Sequence, residues 1–152
     1  VEASGLHQSE DFKLWMMVEV PTNVFLIEKF LDVGIDGVSI GSNDLTQLIM
    51  GIDRDSARLA REFDERNEAV LMAMEKVIKA CVQRKVAVSI CGQAPSNYPD
   101  LTAKLVEWGV TSVSINPDMI DKTREIVAEV EARMSQPMGI RLLTRTFDST
   151  SS

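Results

Sequence analysis

Residues 38–47 read VSIGSNDLTQ, and how this stretch divides decides the fold. Val38, Ser39 and Ile40 form a short β-favouring run that ends at Gly41. Ser42, Asn43, Asp44 and Thr46 then crowd polar chemistry around a single Leu45. A short apolar run that stops at a glycine and passes into a helix is one βα unit. The tripeptide returns as Val88-Ser89-Ile90 before Cys91-Gly92, and as Val113-Ser114-Ile115 before Asn116-Pro117. The copies are unevenly spaced, so they echo βα units rather than a solenoid repeat.

Outward from that stretch the alternation continues. KLWMMVEV (13–20) reads as a strand closed by Pro21. PTNVFLIEKFLDVG (21–34) reads as a helix with Leu26, Ile27, Phe30 and Leu31 inward and Gly34 as its stop. DGVSIG (36–41) is the second strand, LTQLIMG after Asp44 a short helix, and IDRDSARLAREF a polar loop. Residues 64–85 form the clearest helix, with Val70, Met74, Val77, Ile78, Cys81 and Val82 on one face. Strand 86–91, helix 98–108, strand 111–115 and helix 117–134 follow, with Pro117 in a first turn. The expected fold class is therefore α/β: four consecutive βα units with parallel strands and helices over the sheet. The strands read as near-continuous apolar runs, which predicts burial on both faces. Residues 1–12 are expected to be a mobile start, 13–134 one domain, and 135–152 an irregular tail.

Composition narrows the function. The chain has 152 residues, a net charge of −7 and 45% hydrophobic residues, enough for a core of one domain. The acidic balance argues against a nucleic-acid surface and against a polybasic lipid-binding patch. No apolar run approaches the ~20 residues of a membrane helix, and the start has no secretory-signal pattern. Two cysteines without metal-ligand or disulfide spacing suit a reducing, cytoplasmic setting.

In parallel β/α folds ligands bind at the carboxyl ends of the strands. Those ends here are Glu19, the Gly41–Asp44 segment, Cys91-Gly92 and Asn116. A carboxylate at Glu19 needs a partner. A hard divalent cation shared with Asp44 would supply one, and so would a Lys or Arg on a neighbouring loop. Asn43-Asp44 suits ligation and equally a helix N-cap. Cys91 before Gly92 suits proton exchange with a substrate, or an inert buried thiol. Cys81 lies on an apolar helix face and carries no chemistry. Arg54 suits a carboxylate or phosphate, or a solvated loop charge. His7 has no assigned role.

WMMVEVPTNVFLIEKF, DGVSIGSNDLTQLIMGIDRD and VSICGQAPS, in this order, resemble the carboxy-terminal domain of the PEP-utilizing enzymes over about residues 5–133. CGQAPS is similar to the phosphoenolpyruvate synthases rather than to pyruvate phosphate dikinase or enzyme I of the sugar phosphotransferase system, where Cys-Gly-Glu is commoner. The resemblance implies a PEP- or pyruvate-binding (β/α)₈ barrel, of which the four units here look like the last four. It implies Glu19 and Asp44 as Mg²⁺ ligands and Asn43, with Ser42 and Gly92 beside it, at the substrate. It implies Arg54 near the phosphoryl group and Cys91 as proton donor and acceptor at the methylene carbon. The overall reaction implied is ATP, pyruvate and water to PEP, AMP and phosphate, with the ATP-binding and phosphohistidine parts outside this chain. Half a barrel leaves two open sheet edges. The expectation is a fragment of a longer protein, inactive alone, that pairs with a missing half or forms a homo-oligomer. The alternatives are a non-catalytic, self-associating module and a piece of a related phosphotransferase.

Overall fold

In a computed structural model of the chain, which describes residues 9–53, 56 and 59–135, the VSI repeats lie side by side. Strands β1 (Trp15–Val18), β2 (Gly37–Gly41), β3 (Ala87–Cys91) and β4 (Ser112–Val113) form one sheet in the order β1-β2-β3-β4. All three pairings are parallel. Strands that follow one another in both sequence and space, each returned by a helix, are the winding of a barrel segment.

The helices are α1 (Pro21–Phe25), α2 (Ile27–Leu31), α3 (Ser42–Met50), α4 (Glu68–Arg84), α5 (Ala94–Asn97), α6 (Pro99–Trp108) and α7 (Ile120–Ser135). The long α4 is capped by Asn67, whose side chain accepts from the Ala69 N–H at 3.0 Å. It buries Val70, Met74, Val77, Ile78 and Cys81 as the periodicity predicts. Val82 departs from that stripe and stays 47% exposed, at the edge of the packed face below Gly109. Arg84 at its last turn pairs with Glu28 and Asp32, fastening α4 to α2.

Several expectations are corrected. The helix anticipated over 21–34 is broken at Leu26, where φ is −106° and ψ 19°. Burial then falls on Val24, Ile27 and Leu31, and Leu26 turns outward. The fourth strand is two residues long rather than five. The segment between strand 86–91 and helix 98–108, for which no element was expected, contains α5, whose Ala94, Pro95 and Ser96 are all buried.

The largest correction concerns the sheet. Among the described residues only one face is closed. Val18, Val38, Ile40, Val88 and Ile90 are fully buried beneath the helices. Residues of opposite parity line the other, inner face. Trp15 pairs with Gly37, and Gly37 with Ala87; Met17 pairs with Ser39, Ser39 with Ser89 and Ser89 with Ser112; Gly41 pairs with Cys91. Trp15 and Met17 remain 45% and 42% exposed. The Trp15 ring lies where a Cβ at position 37 would stand, so Gly37 makes room for the indole. Period-two alternation was present in VSI, but apolar Trp15 and Met17 hid it in β1.

Candidate active site at the carboxyl ends of the strands

Each strand delivers its last residues to one rim. Glu19 follows β1 directly, and its backbone N–H donates to Asn23 Oδ1 at 3.3 Å, as does that of Val20. Asn23, in the first turn of α1, thus holds the turn that carries Glu19. The Glu19 side chain leans across β2: a Cβ at Gly41 would stand 2.8 Å from Glu19 Cγ and 3.0 Å from its Oε1. Only glycine at 41 lets that carboxylate cross.

The polar segment is part of a helix. α3 begins at Ser42 with Gly41 as its N-cap residue, so Asn43 and Asp44 are its second and third residues rather than its cap. Asp44 is exposed and adds negative charge to the helix amino terminus. Ser42 is fully buried, and among the described residues its hydroxyl and that of Thr46, one turn on, have no hydrogen-bond partner. Asn43 Oδ1 accepts from the Gln93 N–H at 3.5 Å and ties α3 to the loop after Cys91.

That loop is held closely. Gly92 has φ +114°, and a Cβ there would collide with Ser42 Oγ. A glycine here lets a ligand or another part of the chain approach, and its immediate neighbour is the start of α3. Beyond it, Thr102 donates to the Pro95 carbonyl at 3.0 Å and the Asn116 N–H to Ser96 Oγ at 2.9 Å. In CGQAPS, therefore, Cys91 and Gly92 face the rim while Ala94, Pro95 and Ser96 anchor the loop.

Cys91 is half-buried, and Ser39 Oγ donates to its Sγ at 3.5 Å. Cys81 is fully buried in α4, and burial, with a smaller contribution from Glu28, pushes its thiol up to about 11. The two cysteines have separate environments, as their positions in the sequence suggested. Arg54 lies outside the described residues, and so do His7 and residues 136–152.

Among the described residues neither Glu19 nor Asp44 forms an ion pair, so the salt-bridge alternative for Glu19 finds no partner there. No three His, Cys, Asp or Glu side chains converge there either. Two free carboxylates at one rim suit a hard cation that takes its remaining ligands from water and substrate, the habit of Mg²⁺. A hollow of about 300 Å³ lies on the helical side between Pro21, Phe25, Ile49 and Met72. Its walls are almost wholly apolar and do not suit an anionic substrate.

Sequence reasoning missed Asn23 and Ser39. A side-chain amide three residues into a helix was the available signal for the first; nothing local marks the second, which acts across strands.

A parallel βα segment with carboxylates, an amide and a thiol at its carboxyl-end rim is a barrel-type half that carries a candidate site. The model of the family described as PEP-utilising enzyme, PEP-binding domain, matches residues 1–132, and the chain belongs to that family. It is 50% identical over 148 residues to the phosphoenolpyruvate synthase of Aeropyrum pernix, covering 93% of this chain and 18% of that protein. It is 48% identical over 124 residues to that of Helicobacter pylori, covering 82% and 15%. The chain thus spans less than a fifth of the length of these curated relatives. Among solved structures, RipC from Yersinia pestis aligns with TM-score 0.60 at 14% identity, covering 85% of this chain and 60% of that one. An HpcH/HpaI aldolase/citrate lyase family protein from Burkholderia cenocepacia aligns with TM-score 0.52 at 24% identity, covering 78% and 42%. These two likenesses concern the fold alone. None of the described helices is long and apolar enough to cross a membrane.

Proposed function

We propose that this chain supplies the carboxyl-end half of the pyruvate/PEP site of a phosphoenolpyruvate synthase, the enzyme that converts ATP, pyruvate and water to PEP, AMP and phosphate. The observation that carries the reading is a pair of carboxylates, Glu19 and Asp44, without ion-pair partners among the described residues, at the same strand ends as Cys91. The names of the relatives support the reaction, and their length supports ATP-binding and phosphohistidine parts elsewhere in a longer protein.

In this reading Glu19 and Asp44 hold Mg²⁺. When bound, the ion neutralises negative charge on the oxygens of the substrate. Asn43, with Ser42 and Gly92 behind it, orients the substrate, and Arg54 meets the phosphoryl group. The Cys91 thiol hands its proton to the methylene carbon of the enolate left when PEP gives up its phosphoryl group, or its thiolate takes one from the methyl carbon of pyruvate and leaves that enolate. Gly41 keeps the space between Glu19 and Cys91 clear of side chain. Phosphoryl transfer itself asks mainly for positioning and charge neutralisation.

The exposed Trp15 and Met17, and the outer edges of β1 and β4, which have no strand partner among the described residues, support a further part of the reading. The inner face is covered by additional βα units of a longer chain, or by a second copy where this chain stands alone. Sedimentation of the isolated chain tests this; a monodisperse monomer that binds no hydrophobic dye would overturn it.

Oxalate, which mimics the enolate of pyruvate, tests the site. The expected result is Mg²⁺-dependent oxalate binding that Asp44→Ala and Glu19→Gln each weaken about tenfold or more. Binding that needs no Mg²⁺, or that survives both substitutions, would overturn the reading.

A further inference from the structure

Ser39 is a residue that the proposed chemistry does not use, yet its hydroxyl hydrogen-bonds the Cys91 thiol. It projects from the middle of β2 onto the inner face, level with Ser89 of β3. Cys91 stands two residues further along β3, opposite Gly41. Gly41 has no side chain, so β2 offers nothing to Cys91 at its own level. The contact comes from one layer below, Ser39 Oγ donating to Cys91 Sγ at 3.5 Å.

We propose that Ser39 is a positioning residue for the Cys91 thiol: its hydroxyl, donated from the neighbouring strand, holds the sulfur at the rim and stabilises it once its proton has left. The inference rests on the reading of Cys91 as the proton carrier. A donor on the side of the base occupies one sulfur lone pair and leaves the S–H free to point toward the rim, where a substrate carbon would lie. After proton transfer the same O–H faces a full negative charge, and hydrogen bonds to charged acceptors are the stronger ones.

The bland alternative is that Ser39 is merely a small residue filling the inner layer. Alkylation by iodoacetamide separates the two, because its rate follows thiolate availability. It needs no catalytic turnover. Cys91 and Cys81 are resolved by peptide mass spectrometry on the intact chain at one fixed pH near neutrality. Ser39→Ala, which keeps the bulk and removes the donor, is expected to slow alkylation of Cys91 by about three- to tenfold, the weight of one net hydrogen bond. Ser39→Thr keeps the hydroxyl and is expected to stay within about twofold of the parent rate.

Cys81 is the internal control. If Ser39→Ala only loosened the fold, both thiols would react faster, and the inference would fall. It would also fall if Cys91 reacted at the parent rate, or if Ser39→Thr lost as much as Ser39→Ala. None of these outcomes touches the oxalate experiment. Conversely, a chain that fails to bind oxalate with Mg²⁺ would remove the proposed reaction and leave the thiol measurement standing.

Discussion

On the helix-covered face of the sheet Val38, Ile40, Val88 and Ile90 have no exposed surface, while on the opposite face Trp15 and Met17 are 45% and 42% exposed. The same tripeptide builds both. In its first two copies Val and Ile turn toward the helices and Ser turns toward the inner face, Ser39 beside Ser89. The third copy slides along: Val113 stands opposite Ile90, so Ser112 takes the place level with Ser89. The covered face is close-packed and carries stability. The inner face is open, with Gly, Ala and Ser beside the large Trp15 and Met17, and at its carboxyl end it carries the candidate chemistry. A strand with period two can therefore serve stability and function at once, each on its own parity.

The difference can be tested hardest at Ile90. Truncation to Ala on the covered face is expected to cost about 2–5 kcal/mol in urea denaturation. Met17→Ala on the open face is expected to cost less than half as much, because the side chain is already partly in water. Equal losses would mean that the inner face is covered in solution, and would point to self-association.

The next effect comes from the covered thiol. Cys81 is raised from 9.0 to about 11 by burial. Its contribution to stability is full below the unfolded value and is lost as pH rises from 9.0 to about 11, because only the unfolded state releases the proton readily in that window. The loss is up to about 2–3 kcal/mol. The stability difference between the parent and Cys81→Ala, followed from pH 8 to 11, isolates it from every other group of the chain. A flat difference would place Cys81 in contact with water.

Gly92→Ala is expected to cost about 1–3 kcal/mol, since the new Cβ meets both a positive φ and Ser42 Oγ. It would also displace the loop that Asn43 ties to α3, changing the reactivity of Cys91 while leaving Cys81 silent. The smallest effect belongs to Asp36, which accepts from the Leu14 N–H at 2.8 Å and from Lys13 Nζ at 3.2 Å. The first of these bonds is the main reason its carboxyl lies below the usual value of 3.8. Its contribution is present above pH 3.8 and lost as pH falls through the lower folded value. In Asp36→Asn the acid unfolding midpoint should move little, and only the part below pH 4 should change shape.

Much of this was legible in the sequence, element by element. The long helix could be read from Val70, Met74, Val77, Ile78 and Cys81, because helical period is a local property and each residue reports its own face. The strand ends could be read because Gly41 and Gly92 punctuate β-favouring runs. The family could be read because three motifs stand in order. Less legible were α5, whose four residues carry a proline and no periodicity, and the break at Leu26, where apolar residues on both sides made one stripe look continuous.

The sequence by itself determined the order of strands and helices, their parallel sense and the residues gathered at one rim, since these follow from local patterning and the short connections it allows. Only the tertiary structure decided which parity of each strand is covered, that Glu19 crosses over Gly41, that Gly92 abuts Ser42 and that Ser39 meets Cys91. Those are relations between neighbouring strands, set by register and by the absence of a Cβ. No single segment of chain contains them.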